Sequence, residues 1–416
     1  MKQAIIEGYR LSPQQKHIWS LQLKSLALRS QCALLIEGTL DRSLLREALR
    51  QVVRRHEILF TTFEQLSGMD IPLQVIAESA SLSYCEIDSI ASTPSGQEIE
   101  IANFLAEQRQ LDFNFEQGPL ARFCLLVLNP ERHLLIATLP ALCADVWTLN
   151  NLVREIGEAY ESSHEGARAD DEPLQYAQFS EWQNELLEEE DGEGGRQYWR
   201  EQQQAVAAAE DCRLPFELPR AMSVTATDAA VYAPQTLSRA LDASLLPELE
   251  KAAARYEVSE RELLLACWNV LLWRLNDRQQ VVVNALCDGR KHQELHQTFG
   301  LLAEYLPVLS ELEGDYEFAE ALALVARSQR AAYARQEYFS REEIPAADSS
   351  SAPVSSYRQS RLSFGFDFLQ WPEPLRLQSL RAAVLHLSCC AEQFKLRLSC
   401  VRDSQRDGGL KLEFHY

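Results

Sequence analysis

The chain has 416 residues, 46% of them hydrophobic and 24% charged, enough to bury more core than one compact domain usually needs, so two lobes are expected. Its 61 Asp and Glu outnumber its 40 Lys and Arg, and the formal charge of -21 excludes a surface built to grip nucleic-acid phosphates. No uninterrupted apolar run reaches the roughly 18 residues of a membrane span, and the opening MKQAIIEGYRLSPQQ is too polar for a secretory signal. A cytoplasmic protein with neither membrane nor nucleic-acid partners is expected.

In chain order, Ser12 before Pro13 marks a helix start, because a Ser hydroxyl accepts from free N–H groups and Pro suits the first helical turn. A helix through Trp19 follows. Residues 32–37 form a short apolar strand, after which Leu44, Leu45, Ala48, Leu49, Val52 and Val53 recur at helical spacing. Residues 123–128 and 134–139 read as buried strands joined by a turn around Asn129, Pro130 and Glu131. From Asp145, placed as an N-cap, the period changes: Val146, Leu149, Leu152, Val153, Ile156 and Tyr160 line one helix face. Residues 139–144 are therefore a strand-to-helix loop.

The polar segment 161–173 is the expected lobe boundary, giving lobes 1–170 and 171–416. The second half predicts a helix over 263–275, apolar nearly all round and so buried, strands at 281–285 and 306–309, and an amphipathic helix from Phe318. Strands at 362–368, 394–400 and 410–414 close the chain. Residues 347–356 are a flexible loop by composition. The 10 cysteines show no C-x-x-C spacing and read as small core residues of a reduced protein. Two halves of similar α/β content suit a pseudo-dimer, and a cleft between lobes is a common ligand site.

Several segments, in order along the chain, resemble condensation domains of nonribosomal peptide synthetases. LSPQQKHIWSLQ at 11–22 is close to that family's opening motif, and RHEILFTTF at 55–63 resembles RHExLRTxF with Phe60 in place of Arg. LDFNFEQGPLARFCLLVL at 111–128 is similar to FDLxxGPLxR, and YAQFSEWQNELL at 176–187 with YWREQ at 198–202 resembles YxDYAxWQ and YWxxQL. VVVNALCDGR at 281–290 and TFGLLAEYLPV at 298–308 stand where the family has a strand ending in SGR and then IGxFxNTLPLR. The resemblance implies two chloramphenicol-acetyltransferase-like lobes in a V shape with a central tunnel, the second lobe slightly truncated. It implies no directly bound cofactor, but the phosphopantetheine arms of peptidyl or acyl carrier proteins. Neighbouring synthetase domains and a recruited tailoring enzyme complete the implied partners.

The family's catalytic signature, HHxxxDG, corresponds here to PALCADV. Pro140 and Ala141 stand at the histidine positions, Asp145 matches the Asp, Val146 replaces the Gly, and Trp147 matches the aromatic that often follows. The 8 histidines lie elsewhere, at His17, His56, His133, His164, His292, His296, His386 and His415. In the family the second His is thought to orient or deprotonate the acceptor amine, work that suits an imidazole and contributes roughly 10² to 10⁴ in rate. An alanine methyl cannot do it. Asp145 has two readings, an N-cap or a brace paired with Arg290. Cys143 reads as packing because no His neighbours it, and His292 with His296 shows helical metal spacing without a third ligand, so no metal is expected. His56 suits local hydrogen bonding, Tyr176, Phe179, Trp182 and Leu186 a packed helix face, and residues 188–193 a solvated acidic turn. Two functions follow: a platform with a degenerate active site, noncatalytic for amide formation, or an active condensation or ester-forming acyltransferase joining carrier-bound thioesters by an unusual site.

Overall fold

A computed structural model describes residues 8–416 except 23–26, 90–92, 166–171, 190–191, 211–213, 218–231, 233, 277, 342–361, 378–379 and 404–408. The expected loop at 347–356 lies outside the described residues, as do parts of the expected boundary and of the acidic turn. The chain divides into two compact units: residues 1–185, 290–303 and 371–391 form the first, and residues 186–289, 304–370 and 392–416 the second. Each unit is thus assembled from separated pieces of chain, whereas the sequence reading split it once, at 170.

The first half runs α1 (Pro13–Gln22), β1 (Arg29–Gly38), α2 (Arg42–Arg55), β2 (Thr61–Glu64), β3 (Leu73–Ile76), β4 (Ser83–Asp88), α3 (Pro94–Gln110), β5 (Arg122–Asn129), β6 (Arg132–Pro140), α4 (Val146–Glu165) and α5 (Tyr176–Glu188). The remainder is α6 (Glu193–Glu210), β7 (Thr236–Ala240), α7 (Leu246–Arg255), α8 (Glu260–Asn276), β8 (Gln280–Cys287), β9 (Glu304–Glu311), α9 (Phe318–Tyr333), β10 (Leu362–Gln370), β11 (Leu375–Leu377), β12 (Leu380–Cys389), β13 (Phe394–Asp403) and β14 (Gly409–His415).

The first unit is built on a 6-stranded sheet of order β11-β12-β1-β6-β5-β4. β5 and β6 form the expected hairpin, and the Asn129 side chain closes its turn by accepting from the Glu131 N–H at 2.9 Å. α2 is capped by Asp41, which accepts from the N–H groups of Ser43 and Leu44, and it buries Leu45, Ala48, Leu49, Val52 and Val53 against α4. α4 in turn buries Leu149, Leu152, Val153, Ile156 and Tyr160. On the opposite face α3 lays Ile101 and Phe104 over Ala33, Cys124, Leu126, Leu134 and Ile136. β12, from late in the chain, pairs antiparallel with β1 along its length, which sequence periodicity could not reveal. β4 pairs parallel to β5, and Cys85 and Cys124, opposite each other in that register, form a disulfide. This corrects the expectation that every cysteine is a free thiol, because residues 39 apart become neighbours only once the strands pair.

The second unit carries another 6-stranded sheet, β7-β14-β13-β10-β8-β9. α8 and α9 pack together on one face, where Leu263, Ala266, Trp268 and Leu272 of α8 meet Val283, Ala285, Phe364, Phe366 and Leu398. α8 is not buried all round: Leu271 is 46% exposed and Cys267 is also exposed, so its continuous apolar run overstated its burial. Among the described residues, no helix is long and apolar enough to cross a membrane.

Candidate functional site

The loop from β6 to α4 lies in the first unit. β6 ends at Pro140, whose register partner is Arg29 at the start of β1. There the chain turns, with the Cys143 N–H donating to Pro140 O at 3.0 Å and the Ala141 N–H donating to Leu28 O at 3.2 Å. Gln15 Nε2 donates to Leu142 O at 3.1 Å, and Ser30 Oγ donates to Ala144 O at 2.5 Å. The loop is buried as well as tied: Ala141, Leu142, Cys143 and Ala144 are each 0% exposed.

Asp145 ends the loop and begins the helix. Its Oδ1 accepts from the Thr148 N–H at 2.8 Å, capping the first turn of α4, and from Arg290 Nη2 at 3.1 Å. Its Oδ2 accepts from Arg290 Nη1 at 2.8 Å and from the backbone N–H groups of Leu302 and Ala303 at 3.0 and 2.9 Å. The two readings of Asp145 are therefore both realised in one side chain. Asp145 is 1% and Arg290 5% exposed, a burial made tolerable by the two-pronged pairing and by the backbone N–H groups that donate to both carboxylate oxygens. With both oxygens so engaged, the carboxylate has no lone pair directed at a substrate proton.

Residues that no local pattern singles out complete the brace. Thr148 Oγ1 donates to Gly300 O at 2.8 Å and accepts from the Gly300 N–H at 3.0 Å and from Arg290 Nη2 at 3.2 Å. Gly300 sits at φ +140°, and a Cβ there would stand 1.9 Å from the Tyr176 ring, so only glycine fits. Tyr176 OH donates to Leu301 O at 2.7 Å and lies 2.8 Å from Ser12 Oγ. The sequence reading gave Tyr176 a packing role alone; its hydroxyl also ties α5 to the 298–303 segment.

Val146 is 4% exposed and Trp147 half-buried, on the first turn of α4. Burial pushes the Cys143 thiol well above its ordinary range, leaving it protonated and inert as a nucleophile. His56 Nε2 lies 2.8 Å from Glu155 Oε2, and its ring stacks on Phe299 at 3.5 Å; burial holds its pKa below the ordinary value, against the pull of Glu155. His292 and His296 do not share an α-helix face, because only a short 3-10 turn separates them and His292 is extended. Among the described residues no cluster of His, Cys, Asp and Glu has the makings of a metal site. Along α5, Phe179 is buried, but Trp182 is 37% exposed and packs edge-on to His292.

The sequence matches the family model described as Condensation domain over residues 5–342. Among curated proteins, chondramide synthase cmdD of Chondromyces crocatus is 30% identical over 325 residues, 76% of this chain and 8% of that protein. The chain spans 4% to 8% of the length of the first curated relatives it matches. Among solved structures, the X-domain from teicoplanin biosynthesis superposes with a TM-score of 0.80 at 24% identity, covering 99% of this chain and 90% of that one. The complex of the X-domain and OxyB from teicoplanin biosynthesis gives 0.76 at 23% identity, covering 99% and 89%. A family model over most of the chain, together with these architectures, places it: the chain belongs to the condensation-domain family of nonribosomal peptide synthetases and has that family's chloramphenicol-acetyltransferase-like fold.

Proposed function

We propose that this chain is a degenerate condensation domain that does not form amide bonds and serves as a platform for a carrier protein or a tailoring enzyme in an assembly line. The observation that carries this reading is the closed loop at 140–145. Ala141 is 0% exposed and offers no proton acceptor, Cys143 is buried with a raised pKa, and Asp145 is committed to Arg290 and backbone N–H groups. The brace is kept while the base is absent, which suits a scaffold better than an active site. The X-domain of the same fold, solved with OxyB, gives a precedent for the tailoring-enzyme role. Carrier proteins would present their phosphopantetheine arms to the domain as partners, and the setting would be cytoplasmic.

Incubation with donor-loaded and acceptor-loaded carrier proteins, with product followed by mass spectrometry, tests the reading. No amide or ester product is expected, while carrier or tailoring-enzyme binding persists in a pull-down. Product from the unmodified chain would overturn it in favour of an acyltransferase with a substitute base. Ala141→His is expected to restore no product and to cost about 1–3 kcal/mol of stability, read from urea unfolding, because an imidazole must be forced into a filled site.

A further inference from the structure

Helix α2 carries charge that its own fold does not call for. Its 14 residues, RSLLREALRQVVRR, hold 5 arginines and a single acidic residue, Glu47, in a chain whose 61 acidic residues outnumber its 40 basic ones. Arg42, Arg46, Arg50 and Arg54 recur every fourth residue, so they run as one stripe along the exposed flank of the helix, beside the face that buries Leu45, Leu49 and Val52. The side chains of Arg42, Arg46 and Arg50 are 43%, 46% and 43% exposed, and Arg54 is exposed as well. At the helical rise the arginines follow one another in steps of about 6 Å, about 18 Å in all. Arg55 lies outside the stripe, half-buried and 3.7 Å from Glu155.

The stripe works against the helix that bears it. Like charges four residues apart repel, and it contains three such neighbours in succession: Arg42 with Arg46, Arg46 with Arg50, and Arg50 with Arg54. The helix dipole suits the cations of the last turn but opposes Arg42 in the first, where beyond the capping Asp41 no acidic residue stands. The relief at hand is partial. Glu86 on β4 lies 3.4 Å from Arg42 and 3.1 Å from Arg46, Glu47 lies 3.2 Å from Arg50, and Arg54 has no ion pair among the described residues. Two carboxylates thus answer four guanidiniums, all at the surface, where such pairs contribute little to the fold. The charge that the fold leaves unanswered is available to an external partner.

We infer that the stripe of Arg42, Arg46, Arg50 and Arg54 is a docking surface for an acidic helix of a partner protein. This rests on the platform role proposed above, which needs a partner seated on the domain, and it says where that partner sits. A helix with Glu or Asp at every fourth residue repeats the same step of about 6 Å, so its carboxylates meet successive guanidiniums in two-pronged pairs. With a formal charge of -21 the chain as a whole repels such a partner, and the stripe therefore decides where and in which orientation it lands. A nucleic acid or an anionic membrane spreads its charge over a far larger area, most of which would lie against an acidic surface.

The test is binding of the full chain, by fluorescence anisotropy, to a labelled alanine-based helical peptide of about 20 residues with Glu at every fourth position. Saturable binding is expected, weakening as salt rises, with none to the same peptide carrying Gln in place of Glu. A variant combining Arg46→Gln, Arg50→Gln and Arg54→Gln should bind about tenfold more weakly, a modest loss because each exposed pair contributes little. It should melt close to the unmodified chain, since the changes remove repulsion along with weak pairs. Lys at the same three positions should bind within a few-fold of the unmodified chain. A control combining Arg255→Gln, Arg274→Gln and Arg278→Gln, exposed arginines of the second unit, changes the net charge equally and should leave binding as it was. No saturable peptide binding, an equal loss in the two Gln variants, or binding of a DNA duplex or phosphatidylserine vesicles as tight as that of the peptide overturns the proposal. Amide product in the carrier-protein assay would strike the platform role and leave the peptide result standing, whereas failure of the peptide to bind strikes the stripe alone.

Discussion

Asp145 caps α4 and holds Arg290 while both are almost wholly buried, so each depends on the other for its place in the core. Removing either partner leaves a buried, unbalanced charge, and Asp145→Ala or Arg290→Met should each cost about 3–5 kcal/mol. The double variant should cost less than the two together, because it leaves no orphan charge; urea unfolding of the set measures the coupling. Glu304, in the second unit, is strained in another way. Its Oε2 is buried without a hydrogen-bond partner, and burial raises its pKa to about 8, with Glu392 adding to the rise and Arg341 opposing it. Because the folded pKa exceeds the ordinary 4.5, the native state keeps a proton that the unfolded chain releases. Stability from this group is therefore full below about pH 4.5 and is lost as pH rises towards about 8. Glu304→Gln should flatten that decline, and melting temperatures from pH 5 to 8 would show whether the slope belongs to this carboxyl.

At the scale of elements, β4 is an edge strand whose outer residues, from Cys85 to Asp88, are exposed. The Cys85–Cys124 disulfide closes a loop of 39 residues, which the chain-entropy account values at about 3–4 kcal/mol. Cys85→Ser or added reductant should lower the melting temperature and speed amide exchange in β4, while β1 and β6 stay protected; an unchanged exchange pattern would show that the staple contributes nothing. Helices α2 and α4 were legible in the sequence because each shows a full apolar face, and the β5–β6 hairpin because its turn residues sit between two apolar runs. α3 leaves no such mark: it buries only Ile101 and Phe104, too thin a stripe to show a period. β12 could be read neither as a strand nor as a partner of β1, since pairing across the chain leaves no local mark. The same holds for the site. Asp145 and Arg290 could be named from motif positions, whereas Thr148, Gly300 and Tyr176 become a brace only once distant segments meet.

For the whole molecule, the interleaved units mean that neither half of the chain is a complete domain. A fragment of residues 1–185 lacks β11, β12 and the 290–303 segment that carries Arg290, and should remain largely unfolded by circular dichroism. Adding residues 371–391 alone should not rescue it, because Asp145 would still be buried without its counter-charge. The place of β12 has a further consequence during synthesis. β1 emerges from the ribosome with one edge waiting for a strand that lies about 340 residues farther on, a delay of tens of seconds at the usual 5–20 residues per second. Through that interval the apolar run Cys32, Ala33, Leu34, Leu35 and Ile36 has an unpaired edge, the kind of surface that chaperones hold and that aggregates when they do not.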